Sequence, residues 1–279
     1  MTVRSEASGR DRDFLVGLAR AFAGAVIFAL PMLMTMEMWF IGFYVEPLRL
    51  LLLLVLLVPL LTGLAYFSGF KQTSGLLEEV VDSFVAVAVA AIMSVVVLAL
   101  FRIVTPDMPA REIVGKLALQ IFAGSIGAML AQDQMGGQSD MKDEQRKRRA
   151  SYPAVLLMMA AGALFLGLNV APTEEMVLLS YKMDPWRELA LALLSIVSMH
   201  AFVFAVEFPG APEVRPGTAF WSLFFRYTVV GYALVLAISW YLLWTFGRTD
   251  GTGYEEIASA TIVLGFPCAI GAAAARLVL

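Results

Sequence analysis

The chain has 279 residues, of which 60% are hydrophobic and only 15% charged, with a mean hydropathy of +0.79. Soluble domains sit near 45–50% apolar with about 25% charged, so a water-soluble globule is excluded. The formal net charge of −3 says little by itself. One cysteine, Cys268, and one histidine, His200, rule out an intrachain disulfide and a Cys/His metal cluster.

The apolar residues come in runs of roughly 20 without alternation, which predicts an all-α polytopic membrane protein rather than a β-barrel. The polar start MTVRSEASGRDRDF leads into an apolar run too long for a cleaved signal peptide, so an uncleaved first span is expected. Eight transmembrane segments are expected, at residues 15–44, 48–68, 79–101, 113–132, 153–181, 188–206, 218–246 and 256–278. The connections are short apart from residues 133–152, a linker carrying Lys142 and the run Arg146, Lys147, Arg148, Arg149. Arg4, Arg10, Arg12 and Arg20 precede or open the first span. Lys and Arg concentrate on the cytoplasmic side, and four spans separate the two basic regions, so both termini and the linker are expected inside. The basic run reads first as a topology determinant. Anionic lipid is a second partner for it, and no nucleic-acid partner is expected.

Shifting the opening stretch by 138 residues brings AGAVIFALPMLMTMEMWFIGFYVEPLR over AGALFLGLNVAPTEEMVLLSYKMDPWR without a gap. Ala23, Gly24, Ala25, Leu30, Thr35, Glu37, Met38, Pro47 and Arg49 meet identical residues, and Glu46 meets Asp184. EIVGKLALQIFAGSIGA (112–128) likewise matches EIASATIVLGFPCAIGA (256–272). A polar skeleton in register predicts two tandem four-helix repeats, 1–132 and 153–279, joined by the cytoplasmic linker 133–152. With four spans each, the repeats share one orientation and a pseudo-twofold axis along the membrane normal.

Within this frame Glu37 and Glu175 are symmetry mates in the first and fifth spans. Glu37 lies about 16 residues beyond Ala21 and Glu175 about 22 residues into its span, so both fall in the outer half of the bilayer. Pro31 precedes one, and Asn169 with Pro172 the other, which predicts broken helices. Freed carbonyls beside a carboxylate suit a small hard cation, and an intramembrane acid is a functional candidate by default. The candidate ion site is therefore Glu37, Glu175, Thr35, Thr173 and Glu174, with the metal undetermined. The competing reading puts both glutamates at the outer interface or in ion pairs with Arg49, Lys182 or Arg187. The threonines more often bond a carbonyl one turn back. Trp39 and Tyr181 read as interfacial belt residues, and Glu46-Pro47 and Asp184-Pro185 as hairpin turns with local ion pairs to Arg49 and Arg187.

Glu78, Glu79 and Asp82 open the third span, where acids complement a helix N-terminus. Glu79 and Asp82 could instead line an inner vestibule, or pair with Arg226. Glu112 and Glu256 open the fourth and eighth spans in the same way. Lys116 and Gln120 either snorkel outward or face the interior. His200 is expected to be an interhelical hydrogen bonder, with a proton relay as the alternative. The small residues of FAGSIGAMLA and FPCAIGAAAA predict close helix packing.

No nucleotide-binding, hydrolase or redox motif is present, so an enzyme is not expected, nor a cofactor. The sequence reads best as a cation channel or transporter that uses the duplicated Glu, with the lipid bilayer, a small cation and a second copy in a homodimer as its partners. The alternative is a non-transporting scaffold, sensor or assembly protein working through the basic linker. LPMLMTMEMW (30–39) and GLLEEVVDSFVAV (75–87), with the paired Glu-bearing spans and the basic linker, resemble a family of bacterial integral membrane proteins known as a domain of unknown function. The resemblance implies a multi-pass protein of the bacterial inner membrane. It supplies no activity and no site residues.

Overall fold

The computed structural model describes residues 2–68, 76–135, 151–204 and 220–278. Every regular element among them is helical. They are α1 (Thr2–Leu33), α2 (Met36–Tyr44), α3 (Pro47–Ser68), α4 (Leu76–Leu100), α5 (Ala110–Met135), α6 (Tyr152–Val170), α7 (Glu174–Lys182) and α8 (Pro185–Phe204). A short α9 (Phe220–Leu223) runs through a π-helical turn, Phe224–Val229, into α10 (Val230–Thr245), and α11 (Tyr254–Val278) closes the chain. Seven helical stretches are long and apolar enough to cross a membrane: 15–33 in α1, 47–67 in α3, α4, 110–131 in α5, α6, 221–245 through α9 and α10, and 254–275 in α11. The protein is a multi-pass integral membrane protein, as expected. α8, the expected sixth span, is a helix of 20 residues but is not among those seven stretches.

Prolines mark where helices begin. Pro47 and Pro185 sit at the first positions of α3 and α8, and Pro153 in the first turn of α6, where a missing N–H costs nothing. The two expected breaks are present; the first falls a little after Pro31, and the second contains Pro172. Pro31 stays inside α1, and the helix stops at Met34–Thr35. Asn169 likewise stays inside α6, and Ala171–Thr173 forms the second break. Pro31 forgoes its own bond to the Ile27 carbonyl but leaves the N–H groups of the residues after it free to continue the helix, so it need not be the last helical residue. The fifth expected span is accordingly two helices, α6 and α7. At the other end of the first half, α5 continues to Met135, three residues past its expected end. The remaining linker, 136–150, lies outside the described residues, as do the connections 69–75 and 205–219.

Two helices act as hubs. α5 packs on α1, α2, α3 and α4, and α11 packs on α6, α7, α8 and α10. Small residues make this possible. A methyl added at Gly24 would collide with Ala131 and the Gly127 carbonyl, and one at Gly162 with the Gly271 carbonyl and Ala275. Backbone-to-backbone approach of this kind is how helices gain contact where lipid offers no hydrophobic drive. α2 meets α5 the same way, Gly42 against Gly115 and Lys116, while Ser259 of α11 donates to the Ser180 carbonyl of α7 at 3.0 Å. The groups meet through α3 on α6 and α10, and through α1 on α6, where Phe28 and Phe165 have ring centroids 4.4 Å apart. Large apolar side chains such as Leu51, Val55, Ile92, Leu193 and Val197 point outward, as a lipid-facing surface requires.

Candidate functional site

Both breaks are built alike. At the first, Thr35 has an extended backbone (φ −104°, ψ 118°) and stands at the N-cap position of α2, but its hydroxyl donates back to the Pro31 carbonyl instead of capping α2. At the second, Thr173 (φ −73°, ψ 145°) stands before α7 and donates to the Val170 carbonyl at 2.8 Å. Thr35 thereby satisfies a carbonyl at the end of α1, while Thr173 adds its hydroxyl to the bond that its own N–H makes to the Val170 carbonyl at 3.0 Å. Nearby, the Trp39 indole N–H donates to the Leu33 carbonyl at 2.9 Å, and the Asn169 amide to the Phe165 carbonyl at 2.6 Å.

Glu37 and Glu175 both occupy the second position of a nine-residue helix, where the helix dipole favours a carboxylate. Their surroundings differ. Glu37 is half-buried and has no hydrogen-bond or ion-pair partner among the described residues. Glu175 is exposed, in a shallow groove of about 360 Å³ with Glu174, Val177, Leu178 and Tyr181. Glu174 is engaged: Arg248 donates to its Oε1 at 3.1 Å and also to the Pro172 carbonyl. α2 is held by α5 and α7 by α11, so each glutamate is positioned by its own hub.

The breaks, the turns after α2 and α7, and the loops 101–109 and 246–253 gather at one end of the bundle. Arg49, in the first turn of α3, ties them. It makes a bidentate pair with Asp250 at 2.8 and 2.9 Å, donates to the Trp244 carbonyl at 2.6 Å, and pairs with Glu46 at 3.0 Å. Its guanidinium lies 4.8 Å from the centre of the Trp244 ring. The expected local pairs of both hairpins are present, with Arg187 to Asp184 at 3.4 Å, but the long-range partners of Arg49 and Arg248 carried no sequence signal.

Lys116 does not snorkel. It is 8% exposed and paired with Glu112 at 2.6 Å, and its ammonium also donates to the Ile103 carbonyl at 3.2 Å. Gln120, one turn further along α5, is 1% exposed, and its Oε1 has no partner. A groove of about 310 Å³ lined by Phe43, Tyr44, Pro109, Arg111 and Glu112 opens beside this pair. This buried polar row on α5 is the feature that sequence reading left undecided.

At the opposite end, His200 of α8 bonds the Thr228 hydroxyl at 2.8 Å, the interhelical role expected of it. Thr228 sits in the π-helical turn, whose wider coil departs from the register of the flanking helix. Arg226 in that turn lies over the Tyr152 ring at 4.7 Å, so its guanidinium is taken up by an aromatic face. Glu79 is buried and Asp82 half-buried, both in the first two turns of α4. Among the described residues no cluster of three or more His, Cys, Asp or Glu side chains is arranged to hold a metal.

No curated protein and no solved structure matches the chain. Residues 17–279, nearly the whole length, match one family, so the chain belongs to the family described as "Putative integral membrane protein (DUF2391)".

Proposed function

We propose that the protein consists of two parallel four-span halves in a bacterial inner membrane and passes a small cation at its helix breaks. The Glu37 carboxylate is the exchanging group, and no covalent chemistry is involved. One observation carries this reading: Glu37 is half-buried within an apolar stretch, at a helix break, without a neutralising partner among the described residues. An unpaired carboxylate at membrane depth costs several kcal/mol, and a structure keeps such a group where it works.

The duplication is supported by contacts as well as sequence. With shifts of 138 and 144 residues, Gly24–Gly127 falls on Gly162–Gly271, and Gly42–Gly115 on Ser180–Ser259. The bounds of α2 fall on those of α7, and Ala110, the start of α5, falls on Tyr254, the start of α11. Glu175 and Glu174 form the matching position in the second half, with Thr35 and Thr173 closing the ends of the long helices.

The test is cation flux into liposomes containing the full chain, with H⁺, Na⁺, K⁺, Ca²⁺ and Mg²⁺ offered in turn. Glu37→Gln should lower flux about tenfold or more, because the carboxylate that exchanges the cation is lost. Glu175→Gln should cost less, as its carboxylate is exposed. No flux of any ion, or equal flux in all three proteins, would end the transport reading and leave a non-transporting membrane protein.

A further inference from the structure

The two halves share their break geometry but not the helix face behind it. Gly115 and Lys116 touch α2 at Gly42, and Gly127 touches α1 at Gly24 and Phe28. Residues 116, 120 and 127 lie along one face of a helix. Gln120 therefore faces the layer formed by α1 and α2. Between these two close approaches the chains run antiparallel, which sets Gln120 level with the break at Met34–Thr35. Its buried Oε1 is unpartnered there. A buried amide oxygen without a partner is costly, and the usual remedy is a water or an ion. Lys116 and Glu112 continue the same row outward, one and two turns away, and the groove beside Glu112 opens at the surface.

The second half lacks this row on α11, and the buried amide oxygen without a partner at its break, Asn169 Oδ1, belongs to α6 instead. At the matching shift of 144 residues, Lys116 becomes Ala260 and Gln120 becomes Leu264, which is fully buried in the apolar core. Glu112 becomes Glu256, with no lysine one turn on.

We propose that the first half holds a water-accessible cation pocket, formed at its helix break by the Gln120 amide and the Glu37 carboxylate and entered past the Glu112–Lys116 pair. Lys116 is neutralised by Glu112 and Arg111 stands at the groove mouth, so Glu37 supplies the charge at the break. Ion passage through the pocket rests on the transport reading above, whereas the pocket's existence does not.

Cysteine accessibility tests the pocket without any flux. In the full chain with Cys268→Ala, Gln120→Cys and Leu264→Cys are compared in sealed liposomes for reaction with a cationic and an anionic methanethiosulfonate. Gln120→Cys should react at least about tenfold faster than Leu264→Cys. The cationic reagent should outpace the anionic one at Gln120→Cys, and adding Glu37→Gln should remove that preference. Equal reactivity at the two positions, or a charge preference indifferent to Glu37→Gln, would overturn the proposal. Gln120→Met supplies a second measurement on the otherwise native chain. A dry, strained amide predicts a higher thermal midpoint for Gln120→Met, independent of added salts. A cation pocket predicts no gain, together with loss of the stabilisation that the transported cation gives the native chain. Labelling as expected with no flux in the native chain would remove the transport reading and leave the pocket standing.

Discussion

Arg49 is 85% shielded and spends its donors on three elements. The pair with Asp250 is half-exposed and therefore worth little by itself, about 0.5–1 kcal/mol. The bond to the Trp244 carbonyl is charge-assisted and shielded, and it contributes more. Arg49→Gln should cost about 2 kcal/mol in all, read as a lower thermal midpoint in detergent, with Asp250→Asn costing about half as much. A native midpoint for Arg49→Gln would show that the clamp is idle. Arg102 makes the opposite case. It has φ +57° at the end of α4, where Arg102 N–H bonds the Ala99 carbonyl and Ile103 N–H the Leu98 carbonyl. Gly247 (φ +72°) ends α10 with the same two bonds, to Trp244 from its own N–H and to Leu243 from Arg248. This left-handed cap suits glycine and strains a residue with a Cβ. Arg102→Gly should therefore stabilise by about 0.5–1 kcal/mol and Gly247→Ala destabilise by a similar amount. Opposite shifts in midpoint are the expected result, and a loss on Arg102→Gly would mean that its side chain does unseen work.

At the scale of elements, the hubs rest on glycine. Gly24→Ala and Gly162→Ala place methyl groups inside the backbone of α5 and α11, and neither neighbour is a flexible side-chain end. Each should cost at least about 2 kcal/mol, since tight cores accommodate added methyls only by moving the backbone. Gly17, with nothing within 4 Å of an added methyl, is the control and should be neutral or slightly stabilised as alanine. Comparable midpoints for all three variants would contradict the packing described here. Much of this layer was legible in sequence. The 138-residue shift located both breaks to within a few residues, because Thr, Glu, Pro and Arg in register have no business in an apolar run unless the backbone changes course there. Pro172 lies within the second break, whereas the first falls after Pro31, which the last turn of α1 absorbs. The fate of Lys116 was not legible. A lysine near a helix start fits both an outward snorkel and an inward course, and here the close approach of Gly42, the Glu112 pair and the Ile103 carbonyl keep it inside. Arg49–Asp250 spans 201 residues and joins the two halves, a contact that no local pattern encodes.

For the molecule as a whole, the open question is the path of α8. Its composition leaves it outside the seven apolar stretches, and the contacts at its two ends predict a crossing. The turn at Met183–Asp184 follows α7, which lies at the end where Arg248 meets Glu174 and Arg49 meets Asp250. α10 arrives at that same end from Phe220 onward, having run the length of the bundle. The chain between Asp184 and Phe220 must therefore reach the opposite end, and α8, at 20 residues and 1.5 Å each, covers about 30 Å, the thickness of the hydrocarbon core. His200 meeting Thr228 near the far end agrees with that course. Single cysteines in the Cys268→Ala chain should then sort by side. Asp184→Cys and Thr249→Cys should react with an impermeant maleimide from one face, and Ser151→Cys, Glu207→Cys and Trp221→Cys from the other. If Glu207→Cys reacts together with Asp184→Cys, α8 lies along the surface, the second half has three spans, and two parallel four-span halves are no longer tenable.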